Sequence, residues 1–305
     1  MSLAVVFPGQ GAQAPCLGAP WRDHPAFSVI AEAERATGLD LAHLLLDADA
    51  EALADTRSSQ LAVLLASLVA WRAAEPALRA EGVVAMAGHS LGQITALIAS
   101  GALSLADGVR LAVDRADATA AAQRTRRGGL VALLAADEAL ADRACARFPD
   151  RAWVANLNAP GQVVVGGDEA ILDDLAEVAR AEGARRAKRL GVDGAFHTPL
   201  MEPAAVALAP CLARLRFGGG HTPVVANDDS RMVRDPTEWP GRLRAHLVSP
   251  VRWTDSIDAL VALGATTIVE VGPGTTLTSL VARIDPGLGA RNIATPTDLA
   301  VEVSP

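Results

Sequence analysis

The residues best placed to do chemistry in this chain gather at Gly88-His89-Ser90-Leu91-Gly92. An apolar run, Val83–Ala87, leads into this segment, and a helical pattern from Gln93 to Ala99 leads out of it. A G-x-S-x-G sequence between strand and helix predicts a nucleophile elbow, a sharp turn that holds a serine in a strained conformation above a helix N-terminus. The flanking glycines relieve crowding where the backbone doubles back. Ser90 is therefore the candidate nucleophile, and its chemistry would be acyl transfer or hydrolysis through a serine ester.

A serine hydroxyl attacks well only when a base takes its proton. The chain has six histidines. His89 adjoins the serine, but neighbouring side chains diverge in a sharp turn, so it is a poor base. His197, in Asp193-Gly194-Ala195-Phe196-His197-Thr198-Pro199, stands at a loop mouth between a strand and a helix and is the candidate base. The oxyanion formed by attack needs at least two fixed donors. The N–H of Leu91 is one. The turn Pro8-Gly9-Gln10-Gly11-Ala12-Gln13 can supply the other, since Gln10 presents an amide between two glycines. A glycine-rich turn after a first strand also suggests phosphate binding. The nucleotide-binding pattern is not completed, however, because Pro15-Cys16 follows where a third glycine and a helix are required.

These residues need elements to hold them. Leu3–Phe7, Val83–Ala87, Val163–Val165 and Thr267–Val271 are short and apolar and read as strands. Between them, Gln60–Arg72, Ile94–Ala99, Ala106–Ala122 and Ile171–Glu182 carry helical patterns. Such alternation predicts an α/β fold with a mostly parallel, helix-covered sheet. The stretch 126–192 has the order β-α-β-β-α-β, that of a ferredoxin-like subdomain, inserted between 1–125 and 193–305 of a larger domain. A groove between the two is a natural place for a site. The tail after Arg283, punctuated by proline and glycine, is expected to be peripheral.

Composition narrows the partners. Half of the 305 residues are hydrophobic, without an uninterrupted apolar stretch of the roughly 18 residues that would cross a bilayer. The chain opens as a first strand and not as a signal peptide. Three scattered cysteines give neither metal-ligand nor disulfide spacing, so no metal is expected and a reducing cytoplasm is the simplest setting. A net charge of −8 argues against nucleic acid. One basic cluster, Arg180 to Arg189, reads either as a solvated face or as a patch for an acidic partner.

Taken together, Phe7–Gln13, Gly88–Gly92, Gly194–His197, Ser249-Pro250-Val251-Arg252-Trp253 and Glu270-Val271-Gly272-Pro273-Gly274 resemble the malonyl-CoA:acyl-carrier-protein transacylase family. That family includes the acyltransferase domains of fatty-acid and polyketide synthases. The similarity runs in the family's order from residue 7 to about residue 284. It implies an α/β-hydrolase-like large domain with a ferredoxin-like insertion. It also implies a Ser90–His197 dyad whose histidine is oriented by a backbone carbonyl, here near Ser249–Arg252, instead of by an acid. Gln10 and Leu91 become the oxyanion donors. Arg115 becomes the residue that pairs with the free carboxylate of a malonyl group, a task suited to a planar two-pronged donor. Gln60 stands where relatives carry a site-lining glutamine, and Phe196 leaves little room for an α-methyl branch. Asn158 and Asn227 read as scaffold for loops. The chain departs from the common pattern at Gln93, Ala116 and Pro15–Gly18, none of which removes a needed group.

The resemblance implies malonyl transfer from coenzyme A to the phosphopantetheine thiol of an acyl carrier protein, by a monomer with no cofactor beyond the thioester substrate. Three alternatives stay open. A serine thioesterase or esterase would orient His197 with an acid, for which Asp228, Asp229 and Asp255 are candidates. A non-catalytic relative would bind the carrier alone. The same transfer could also serve a polyketide synthase or a malonate decarboxylase.

Overall fold

A computed structural model describes residues 2–300; residues 301–305 of the expected large domain lie outside the described residues. Eleven strands occur in chain order: β1 (Leu3–Phe7), β2 (Val83–Gly88), β3 (Gly128–Leu134), β4 (Ala152–Ala159), β5 (Gln162–Asp168), β6 (Arg186–Arg189), β7 (Val224–Val225), β8 (Met232–Val233), β9 (Val251–Arg252), β10 (Thr267–Val271) and β11 (Gly289–Ile293). They form a six-stranded sheet, β11-β10-β1-β2-β7-β8, and a five-stranded sheet, β6-β3-β5-β4-β9.

The large sheet is parallel apart from the β7–β8 pair. Every residue of β1 is buried, as a central strand covered on both faces requires. The period of two divides its side chains. Leu3, Val5 and Phe7 enter one core with the helices Thr56–Glu81 and Gly92–Ala99. Ala4 and Val6 enter another with Trp253, Ile257 and Leu280. Helix Thr56–Glu81 extends well past the predicted Gln60–Arg72. Its start is capped by Asp55, which accepts from the Ser58 N–H, and its end by Gly82 in the left-handed conformation. By length and composition this helix could cross a bilayer, but 72% of its most apolar window is buried inside the protein, where it serves as a core helix. The tail corrects the expectation of a peripheral segment: β11 extends the large sheet beside β10.

The inserted unit matches the predicted β-α-β-β-α-β order. Strands β6-β3-β5-β4 run antiparallel. Helices Glu138–Ala146 and Leu172–Ala181 cover the face bearing Val131, Leu133, Val163 and Val165, giving the unit its own core. One strand of this second sheet was not foreseen. The two-residue β9, from the large unit, adds to the edge of this second sheet, pairing parallel with β4 at Asn156 and Leu157.

Candidate active site

The elbow forms as its sequence predicts. Ser90 has φ 53°, a left-handed conformation that costs an L-residue about 1–2 kcal/mol and persists only when its surroundings enforce it. The turn packs against β1 so closely that glycine is required at both ends. A Cβ on Gly88 would lie 1.9 Å from the Gly92 carbonyl carbon, and one on Gly92 would lie 2.1 Å from the Phe7 oxygen. Asn227 braces the turn from outside: its Oδ1 accepts the Ser90 N–H at 2.8 Å and its Nδ2 donates to the Gly88 carbonyl. Gln93 in turn accepts the Asn227 N–H and donates to the Val225 carbonyl. A neutral amide at position 93 does both, which an ionised carboxylate could not.

Ser90 Oγ lies 2.7 Å from His197 Nε2, and His197 Nδ1 lies 2.8 Å from the His246 carbonyl. A carbonyl only accepts, so the proton sits on Nδ1 and leaves Nε2 free to accept from the serine hydroxyl. The carbonyl at hydrogen-bond distance from Nδ1 is that of His246, three residues before the expected Ser249–Arg252, and the Ser249 backbone also lies close enough to favour the charged ring. Among the described residues no acid takes its place: Asp228 and Asp229 pair with Arg242, and Asp255 with Arg252. Burial, with the Arg115 charge adding to it, lowers the His197 pKa to about 3, so the imidazole is held neutral. His89 does not approach the dyad as a base. It pairs with Asn158 Oδ1 at 2.9 Å, packs edge-on against Trp253, and burial lowers its pKa.

Arg115 lies on the helix Leu105–Thr125, almost wholly buried. Its Nη2 donates to Ser90 Oγ at 3.2 Å and its Nη1 to Gln60 Oε1. Burial lowers its pKa to about 10, which leaves it charged at neutral pH. Among the described residues it has no carboxylate partner; the nearby Asp117 pairs with Arg57 instead. Gln60 is fully buried behind Arg115 and bonded to Thr119, so it holds the arginine and does not line the cavity.

The cavity itself is about 440 Å³ and opens between the two units. Gln10, Ser90, Arg115, Phe196 and His197 line it from the large unit, and Leu130, Asn158 and Val164 from the insertion. Among the described residues the Leu91 N–H has no acceptor, while the Ser90 N–H is taken by Asn227. The Glu270-Val271-Gly272-Pro273-Gly274 motif finds its use at the far wall. The buried Glu270 carboxylate accepts from the N–H groups of Leu277 and Thr278. It thereby anchors a helix whose Thr276, Leu277 and Leu280 also line the cavity.

Residues 4–291 match the acyl transferase domain family. The chain belongs to that family. Among curated relatives of this acyltransferase, the malonyl CoA-acyl carrier protein transacylase of Salmonella typhimurium is 36% identical over 99% of this chain and 98% of its own. The structure of the malonyl-CoA:acyl carrier protein transacylase of Xanthomonas oryzae pv. oryzae superposes with a TM-score of 0.91 at 38% identity, covering 98% of this chain and 96% of that one. A malonyl-transacylase in complex with a type II PKS acyl-carrier protein superposes with a TM-score of 0.90 at 32% identity, covering 98% of both chains. The similarity to each is nearly end to end, so the acyltransferase fold is shared across both units.

Proposed function

We propose that this acyltransferase moves a malonyl group from coenzyme A to the phosphopantetheine thiol of an acyl carrier protein, through an ester on Ser90. The observation that carries the reading is one oxygen with two partners. Ser90 Oγ faces a neutral imidazole at 2.7 Å and a buried guanidinium at 3.2 Å.

His197 Nε2 takes the hydroxyl proton as Ser90 Oγ attacks the thioester carbonyl carbon. The Leu91 N–H and an amide of Gln10 hold the resulting oxyanion. The C–S bond then breaks, and coenzyme A leaves as a thiol with the proton from His197. Arg115 holds the malonyl carboxylate, its fork fixed from behind by Gln60, while Phe196 limits width beside the α-carbon. In the second half the carrier thiol gives its proton to His197 and attacks the ester. Ser90 recovers its proton as the malonyl thioester departs. The malonyl carboxylate also counters the Arg115 charge, one of the two main influences lowering the basicity of His197.

The carrier docks on the insertion. Arg185, Arg186 and Lys188 are exposed on or beside the edge strand β6, and among the described residues none pairs with a carboxylate. The chain leads from β6 directly into Leu190 and Val192 on the cavity wall. The reading carries with it a monomeric, cytoplasmic enzyme whose only cofactor-like group is the coenzyme A of its substrate.

The test is intact-mass measurement after exposure to malonyl-CoA, then to phosphopantetheinylated carrier. A malonyl adduct on Ser90 that survives in water and leaves on addition of the carrier is the expected result. Rapid appearance of free malonate without a carrier would establish a hydrolase instead.

A further inference from the structure

His246 meets His197 twice. Besides its carbonyl contact with Nδ1, its imidazole lies against the His197 ring, centroids 4.8 Å apart and planes inclined by 35°. His246 caps the helix Trp239–Ala245, so its backbone is anchored by that helix. Its Nε2 is buried and has no hydrogen-bond partner among the described residues. An unpaired buried polar atom costs about 1–3 kcal/mol, a penalty that an apolar ring of similar shape would avoid. Stability alone therefore does not account for an imidazole there. Burial, with the nearby His197 and Arg115 adding to it, holds the ring neutral, so it brings no competing charge to the dyad.

The backbone contacts at Nδ1 hold one edge of the His197 ring and leave the ring free to tilt about that edge. A flat group against the ring face removes this freedom. We propose that the side chain of His246 is a positioning residue for the base, fixing the plane of His197 so that its Nε2 lies on line with Ser90 Oγ. The inference rests on the Ser90–His197 reading above.

The experiment compares full-length H246A and H246F with the parent enzyme. It records the first-order rate of Ser90 acylation at saturating malonyl-CoA, the KM for malonyl-CoA, and the melting temperature. Loss of alignment on the scale of an ångström predicts acylation slower by about tenfold to a hundredfold in H246A, with KM within about twofold of the parent. H246F, which restores a flat face, should recover most of that rate. A purely structural residue would shift melting without changing the rate of the folded fraction. Should H246A not fold, H246L supplies bulk without a plane, and the same rates decide. Acylation of H246A, or of H246L in its place, at the parent rate would overturn the proposal. So would equal slowing of H246F and the non-aromatic variant. If the parent enzyme itself gains no malonyl ester on Ser90, the proposed function fails, and that result is distinct from both.

Discussion

Replacing Arg115 by alanine separates acyl groups by whether they carry an acid. The guanidinium is buried and charged, and among the described residues it is bonded only to neutral groups, Gln60 and Ser90. A malonyl carboxylate arriving there forms a pair largely shielded from water. Removing one partner of a buried pair costs about 3–5 kcal/mol. Because the cavity stays open to solvent on one side, the lower end applies, and about 3 kcal/mol corresponds to about 150-fold in kcat/KM for malonyl-CoA. Acetyl-CoA offers no carboxylate, so R115A removes only an unmatched charge and one hydrogen bond to Ser90 Oγ. Acetyl loading should stay within about threefold, and the malonyl-to-acetyl preference should fall by about two orders of magnitude. R115K keeps the charge but loses the fork, for a smaller loss of about tenfold. Loading is followed as coenzyme A release at subsaturating substrate, with each acyl-CoA in turn. Equal losses for malonyl and acetyl groups would refute the reasoning, since Arg115 would then serve the nucleophile and not the substrate.

Other outcomes follow from the same geometry. Q60A frees the Arg115 fork and should raise KM for malonyl-CoA by about tenfold while acetyl loading is unchanged, measured in the same assay. F196A widens the cavity beside the α-carbon and should improve methylmalonyl relative to malonyl loading by about tenfold or more, read from competition between the two thioesters. With its pKa lowered to about 3, His197 is neutral across the physiological range, so kcat/KM for loading should stay flat from about pH 8 to about pH 5. Stability behaves differently. His89, His197 and His246 all have folded pKa values below the ordinary 6.5, so the unfolded chain binds protons first as pH falls. Stability present above that value is then lost, by up to about 1.4 kcal/mol per pH unit for each histidine, and melting temperatures measured through the acid range should show it.

Much of this was legible where local signals agree. Leu3–Phe7 and Thr267–Val271 read as strands because short, mostly apolar, β-branched-rich runs ending in a turn have few other uses, and both occur with those bounds. Helix Thr56–Glu81 was underestimated because its ends are polar and Pro76 lies inside it. Its true limits are set by Asp55, Gly82 and packing against its neighbours. Strand β11, Gly-Ala-Arg-Asn-Ile, was missed because its side chains carry no apolar pattern and its place depends on backbone bonds to β10. The site divides in the same way. The side chains of Ser90 and His197 left a readable trace, Arg115 was legible only through the family resemblance, and the three come together in space. The His246 carbonyl left none, since every residue has one, and only the path of the chain selects it. Gln60 was found but misplaced, because residue type alone does not tell a cavity wall from the layer behind it.

The two residues of β9 bear on how anything gets in. Val251–Arg252 tie the large unit to the sheet of the small one at Asn156 and Leu157. Just after this stitch stands Trp253, packed on His89, which is itself held by Asn158 of the small unit. Prising the units apart would break sheet hydrogen bonds and unpack a buried ring next to the nucleophile. These ties resist any widening of the mouth between them. Admission then becomes a matter of reach: the acyl group has to come in at the tip of a thin, flexible arm, while the bulk that carries it stays outside.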